Sequence, residues 1–135
     1  MQVQGRSGGE TILLVEADDA LRTAYAQLLE QEGYRVLQAT DGFGALILVS
    51  THRGPLDLLL TDFLLPRMSG FELFRKFSKL RPAAQAVFMS AAVDHARRVI
   101  GREPGAPRLL PKPFETRALL EAVRETLDRR TDSAA

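Results

Sequence analysis

Apolar residues along this chain come in two arrangements: short unbroken runs, and sparser recurrences three or four positions apart. Thr11 to Val15 is a run of β-branched and aliphatic residues and reads as a strand buried on both faces. Glu16 to Asp19 is an acidic turn in which Asp18 or Asp19 suits a helix N-cap. Leu21, Tyr25, Leu28 and Leu29 then recur at helical spacing until Gly33. Tyr34 to Ala39 predicts a second strand. Asp41-Gly42 turns the chain into a second helix with Ala45, Leu46, Leu48 and Val49 on its apolar face, stopped by Gly54-Pro55. The run Leu58-Leu59-Leu60-Thr61 ends abruptly on the carboxylate of Asp62, and a loop punctuated by Pro66 and Gly70 follows.

Phe71, Leu73, Phe74, Phe77 and Leu80 mark a third helix closed by Arg81-Pro82. Ala86 to Met89 is a fourth strand ending at Ser90, and Val93 to Ile100 a short, rather polar helix. Arg108 to Leu110 is a brief fifth strand, followed by Pro111-Lys112-Pro113. Leu119, Leu120, Val123 and Leu127 give a final helix. Strand then helix, five times over, is the pattern of an α/β protein with a doubly wound parallel sheet and right-handed crossovers. All five strand ends then face one edge, where ligands bind in such sheets. That edge collects Glu16 and its acidic turn, Asp62, Ser90 and Lys112. One domain is expected over 10–128, after a polar, Gly-rich and disordered segment 1–9 and before a flexible polar tail 129–135.

Composition narrows the chemistry. With 135 residues, 45% of them hydrophobic, the chain suffices for one ordinary core. A formal net charge of +1 gives no field to hold nucleic acid directly. The absence of cysteine removes disulfides, thiol nucleophiles and thiolate metal sites, and two histidines are too few for a multi-histidine site. No apolar run reaches membrane-spanning length and no signal peptide opens the chain, so a soluble, cytoplasmic protein is expected.

A carboxylate beside other acidic groups suits a hard divalent cation such as magnesium, and a carboxylate is also a nucleophile that forms an acyl phosphate. The transferred group needs its charge neutralised by a metal, an ammonium and a hydroxyl donor. Lys112 offers the ammonium and Ser90 the hydroxyl. The four groups together point to phosphoryl transfer onto Asp62.

On these residues the chain resembles a response-regulator receiver domain over about 10–128. The matching segments are Ile12-Leu13-Leu14-Val15-Glu16, Asp57 to Asp62 with Pro66 and Gly70, Phe88-Met89-Ser90-Ala91, and Lys112-Pro113-Phe114. Gly9-Glu10-Thr11-Ile12-Leu13 and Phe88-Met89-Ser90 also resemble receivers at the C-terminal end of hybrid histidine kinases. The resemblance implies a flavodoxin-like (βα)5 fold with strand order 2-1-3-4-5. It implies Asp62 as phosphoacceptor, Ser90 as the hydroxyl that contacts the phosphoryl group and moves on activation, Lys112 as the phosphate-pairing lysine, and a cis Lys112-Pro113 bond. Mg2+ would be held by Glu16, Asp62 and the Leu64 backbone carbonyl, with Asp18 a further candidate. The implied partners are a histidine kinase or phosphotransfer domain and a downstream protein, with no direct nucleic acid and no membrane insertion; a homodimer stays open. An enzyme is not expected beyond self-catalysed phosphoryl transfer and autodephosphorylation.

Two positions depart from the family pattern. Ala17 stands where the family has a metal-binding aspartate, so weaker Mg2+ binding and slower phosphorylation are expected. Leu109 stands where the family has the Tyr or Phe that turns inward with the Ser/Thr movement. Both departures motivate a second reading, a pseudo-receiver that keeps the fold and acts as an interaction module. A third, a haloacid-dehalogenase-like phosphatase, needs an acid two residues after the nucleophile and meets Leu64 there. His52 and His95 are expected at the surface, Phe71, Phe74 and Phe77 mostly in the core, and Arg97, Arg98 and Arg102 on a solvated face.

Overall fold

A computed structural model describes residues 9–102 and 105–134, the side chains of 130–134 excepted. Five strands, β1 (Thr11–Val15), β2 (Arg35–Ala39), β3 (Leu58–Asp62), β4 (Gln85–Ser90) and β5 (Arg108–Pro111), form one parallel sheet in the order β2-β1-β3-β4-β5. Five helices alternate with them: α1 (Asp19–Gln31), α2 (Gly42–Thr51), α3 (Gly70–Leu80), α4 (Val93–Ile100) and α5 (Thr116–Ala134). This is the flavodoxin-like architecture that the sequence implied.

Both faces of the sheet are covered, which is why β1 and β3 read as unbroken apolar runs. Ile12, Leu14, Leu58, Leu60, Val87, Met89 and Leu110 point to the α1/α5 side and pack on Tyr25, Leu29, Leu119, Val123 and Leu127. Their neighbours Leu13, Val15, Leu59 and Ala86 point to the other side, against Ala45 and Val49 of α2 and Leu73 and Phe77 of α3. A third cluster, Phe63, Phe88, Ala96, Ile100 and Leu109, seats α4. Phe77 lies in the core as expected, with Phe71 and Phe74 half-buried at its margin.

Helix starts follow the capping residues. The side chains of Asp18, Asp41 and Ser69 accept the N–H groups of Leu21, Gly44 and Glu72. Gly33, at φ +98°, supplies the left-handed position after α1.

One expectation needs correction. Leu21 and Leu80, placed on apolar helix stripes, are exposed, because each lies at a helix end beyond the reach of the sheet. Of the tail expected from 129, the residues up to Ala134 form the end of α5, as the sequence offers no Gly or Pro to stop it, and residue 135 lies outside those described. Of the opening expected to be disordered, residues 1–8 lie outside those described, while Gly9 donates its N–H to Gly33 O (3.3 Å). No helix among the described residues is long and apolar enough to cross a membrane.

Candidate functional site

The parallel register brings four strand ends level. Val15 pairs with Thr61, Asp62 with Met89, and Ser90 with Pro111. Ladder-like bonds continue past the strands: Phe63 N donates to Met89 O (2.8 Å), and Lys112 N donates to Ser90 O (2.9 Å). Backbone pairing alone therefore sets Glu16, Asp62, Ser90 and Lys112 along one rim. The Lys112-Pro113 bond is cis.

The side chains converge unequally. Lys112 Nζ donates to Asp62 Oδ1 at 2.9 Å and to Glu16 Oε1 at 2.8 Å. Both carboxylates are buried, with Asp62 only 7% exposed. Burial first, and then the Glu16 carboxylate beside it, push the Asp62 pKa up to about 7, against the pull of Lys112. Burial would raise Glu16 as well, but hydrogen bonds with Asp62, Lys112 and the Asp18 N–H hold it below its ordinary value. Burial works against the charge on Lys112, yet the two carboxylates outweigh it and raise its pKa, so the ammonium stays protonated.

Ser90 is buried and lines the same small pocket, of about 170 Å³, together with Asp62, Leu64, Met89, Ala91 and Lys112. Its hydroxyl accepts the Ala92 N–H (2.9 Å) at the start of α4 rather than meeting Asp62. Leu64, whose carbonyl is the expected metal ligand, lines this pocket with its side chain exposed. Ala17 is exposed and offers no side-chain oxygen. Asp18 lies on the same turn, but its carboxylate caps α1 (Leu21 N to Oδ1, 3.0 Å). Asp19 pairs with Arg22 (2.7 Å).

Several neighbours escaped sequence reasoning. Arg22 Nη1 donates to Glu16 O (2.9 Å) and so braces the acidic turn. The Tyr25 ring lies 6.0 Å from Lys112 Nζ and 5.3 Å from the Phe114 ring, walling the lysine on its α1 side. Periodicity marked Tyr25 as core and carried no sign of that second duty. His95, expected at the surface, is exposed but sets its ring edge-on to Phe63 at 5.7 Å. Leu109 packs inward beside Phe63 and Phe88. Of the three arginines expected on a solvated face, Arg98 and Arg102 are exposed and Arg97 is half-buried.

Together, the wound sheet and a rim holding two carboxylates and one ammonium define a doubly wound α/β domain with its candidate site at the carboxyl edge of the sheet. The chain belongs to the response regulator receiver domain family, whose model matches residues 12–124. Receiver domains of this kind serve two-component systems as signalling modules rather than as enzymes, interact with histidine kinases or phosphotransfer proteins, and bind Mg2+.

The chain is 33% identical over 126 residues to the sensor kinase CckA of Brucella abortus (strain 2308), a match covering 91% of this chain and 13% of that protein. It is 36% identical over 118 residues to the transcriptional regulatory protein CpxR of Klebsiella pneumoniae subsp. pneumoniae (strain HS11286), covering 87% of this chain and 49% of CpxR. It thus spans half or less of these curated relatives. The crystal structure of the receiver domain from the hybrid histidine kinase CckA superposes with a TM-score of 0.74 at 36% identity, covering 87% of this chain and 98% of that one. A CheY-like receiver from Methanospirillum hungatei JF-1 gives 0.78 at 30% identity, covering 92% and 98%.

The carboxylate oxygens of Glu16 and Asp62 and the Leu64 carbonyl are donors of the kind that Mg2+ takes. Glu16 and Asp62 are two carboxylates with Lys112 between them, and no group of three or more potential side-chain ligands occurs among the described residues.

Proposed function

We propose that Asp62 is the phosphoacceptor. A carboxylate oxygen of Asp62 would attack the phosphorus of a phosphohistidine on a kinase or phosphotransfer domain. The P–N bond breaks, and the freed imidazole takes up a proton. Lys112 would leave Glu16 to neutralise the new phosphoryl oxygens, and Ser90 would release the Ala92 N–H to donate its hydroxyl to one of them. Glu16, Asp62 and the Leu64 carbonyl would hold Mg2+, which supplies charge neutralisation during transfer. The observation that carries this reading is the 2.9 Å contact of Lys112 with a buried Asp62 at the carboxyl edge of the sheet. The output would be a changed surface around α4, β5 and α5. Homology to a sensor kinase and to a transcriptional regulator supports a place in a relay.

Ala17 favours a second reading, in which the domain keeps the fold and binds partners without phosphate control. The one remaining acid on that turn positioned to substitute, Asp18, is committed to the α1 N-cap. Intact-mass measurement after incubation with Mg2+ and a small phosphodonor separates the two. Phosphoacceptance gives one added phosphoryl group, absent in Asp62→Asn and formed faster in Ala17→Asp. No adduct from the small donor, nor from a cognate kinase, leaves the second reading standing.

A further inference from the structure

A second small cavity, of about 160 Å³, lies at the amino edge of the sheet. Gln85 and Arg108, which open β4 and β5, form its sheet side. Thr126 and Arg129 close it from α5, and the loop 105–107 completes the wall. β4 runs from Gln85 to Ser90, so about 17 Å of strand separates this cavity from the Asp62 rim. The two pockets share no residue.

Thr126 is only 3% exposed, and its hydroxyl is the one buried side-chain polar atom among the described residues with no hydrogen-bond partner. A hydroxyl kept from water and left unpaired is costly, so its place in a cavity wall points to a bound group that pairs it. The neighbouring polar groups are also unspent. Gln85 is half-buried and Arg129 exposed, and neither side chain makes a hydrogen bond or ion pair among the described residues. Arg108 engages Glu125 through one nitrogen and keeps further N–H groups. No carboxylate among the described residues lines the cavity.

We propose that this cavity binds a phosphate group, free or carried on a small metabolite. Its wall offers donors from the sheet side and the helix side at once: the Gln85 amide, two guanidinium groups and the Thr126 hydroxyl. A tetrahedral oxyanion presents acceptors in every direction and makes charge-assisted bonds with such a set, whereas a carboxylate presents them on one side. Threonine has two χ1 settings in a helix, so the hydroxyl can turn to the ligand without moving the backbone. The space exceeds what one water needs and is smaller than the pockets that take drug-sized ligands. A bound phosphate would tie α5 to the openings of β4 and β5.

Inorganic phosphate and glycerol 3-phosphate, titrated into the native chain at constant ionic strength and followed by amide NMR, test the proposal. Phosphate should shift the Gly105, Ala106 and Thr126 amides saturably, half-complete near about 1 mM, and independently of any shift at Ala91 beside Asp62. Tighter binding of the glycerol ester marks carried phosphate as the ligand; equal or weaker binding marks the free ion. Thr126→Val keeps the side-chain shape and removes the hydroxyl. It should weaken binding about tenfold yet melt no lower than the native chain when phosphate is absent. Arg129→Gln, at an exposed position, should weaken binding too. No saturable shift with either probe overturns the proposal, as does a Thr126→Val variant that binds phosphate as tightly as the native chain. A Thr126→Val variant that melts well below the native chain overturns it as well, since the hydroxyl would then have a partner within the fold.

Discussion

Glu16 directly follows β1 and Asp62 ends the adjacent β3, with one ammonium shared between them. Without metal, two buried carboxylates and one half-buried ammonium balance imperfectly, and the cost falls on Asp62. Its pKa is about 7 in the fold against an ordinary 3.8. A folded-state pKa above the unfolded value means that the group's contribution to stability is fully present below pH 3.8 and is lost as pH rises through about 7. Metal-free protein should therefore lose stability across that window, whereas Asp62→Asn, which cannot ionise, should not. Thermal melts in chelator at pH 5 and pH 8 should show the Asn variant gaining on the native chain by on the order of 2 kcal/mol; an equal gap at both pH values would refute the assignment. The positions of Glu16, Asp62 and Lys112 were legible in the sequence because each closes or follows an apolar run. The orientation of the Ser90 hydroxyl was not, since it depends on the turn into α4. Arg22 and Tyr25 were hidden because helical phase, not composition, aims them at the site.

At the scale of the element, α3 starts where it does because the chain makes a tight return after β3. Arg67 sits at φ +70°, and Met68 N donates to Pro66 O (2.8 Å), a γ-turn-like reversal. Gly70 N then donates to Phe63 O (2.8 Å), drawing the helix start against the strand end. A Cβ on Gly70 would lie 2.1 Å from the Asp62 carbonyl oxygen. Backbone cannot yield as a side-chain tip does, so Gly70→Ala should cost about 3 kcal/mol in urea unfolding and should displace the Asp62 loop. A neutral result would mean that α3 slides freely. Strand and helix locations were largely readable: β1 and β3 coincide with their apolar runs, and β2, β4 and β5 differ by one residue at an end. What periodicity could not give was the outer face of α2, because a helix that is apolar on every side shows no stripe to orient it.

For the whole molecule, alternation alone argued a parallel sheet, while the strand order came only with the family resemblance. The ties between distant segments were not legible at all. Arg81, which in sequence merely closes α3 before a proline, sends its guanidinium to the carbonyls of Val49 (3.1 Å), His52 (2.8 Å) and Gly54 (2.9 Å). It thereby satisfies the frayed end of α2 from a different helix. Arg53 lies between two of those carbonyls with its side chain exposed. A trypsin-like protease needs a stretch of backbone to pull into its cleft, and here one guanidinium holds that stretch down. The native chain should resist nicking after Arg53, and Arg81→Ala should make that bond the first to be cut. A digestion time course read by mass spectrometry would show it, and unchanged cutting would mean the clamp is idle. The durability of one peptide bond would then be set by a side chain 28 residues further along the chain.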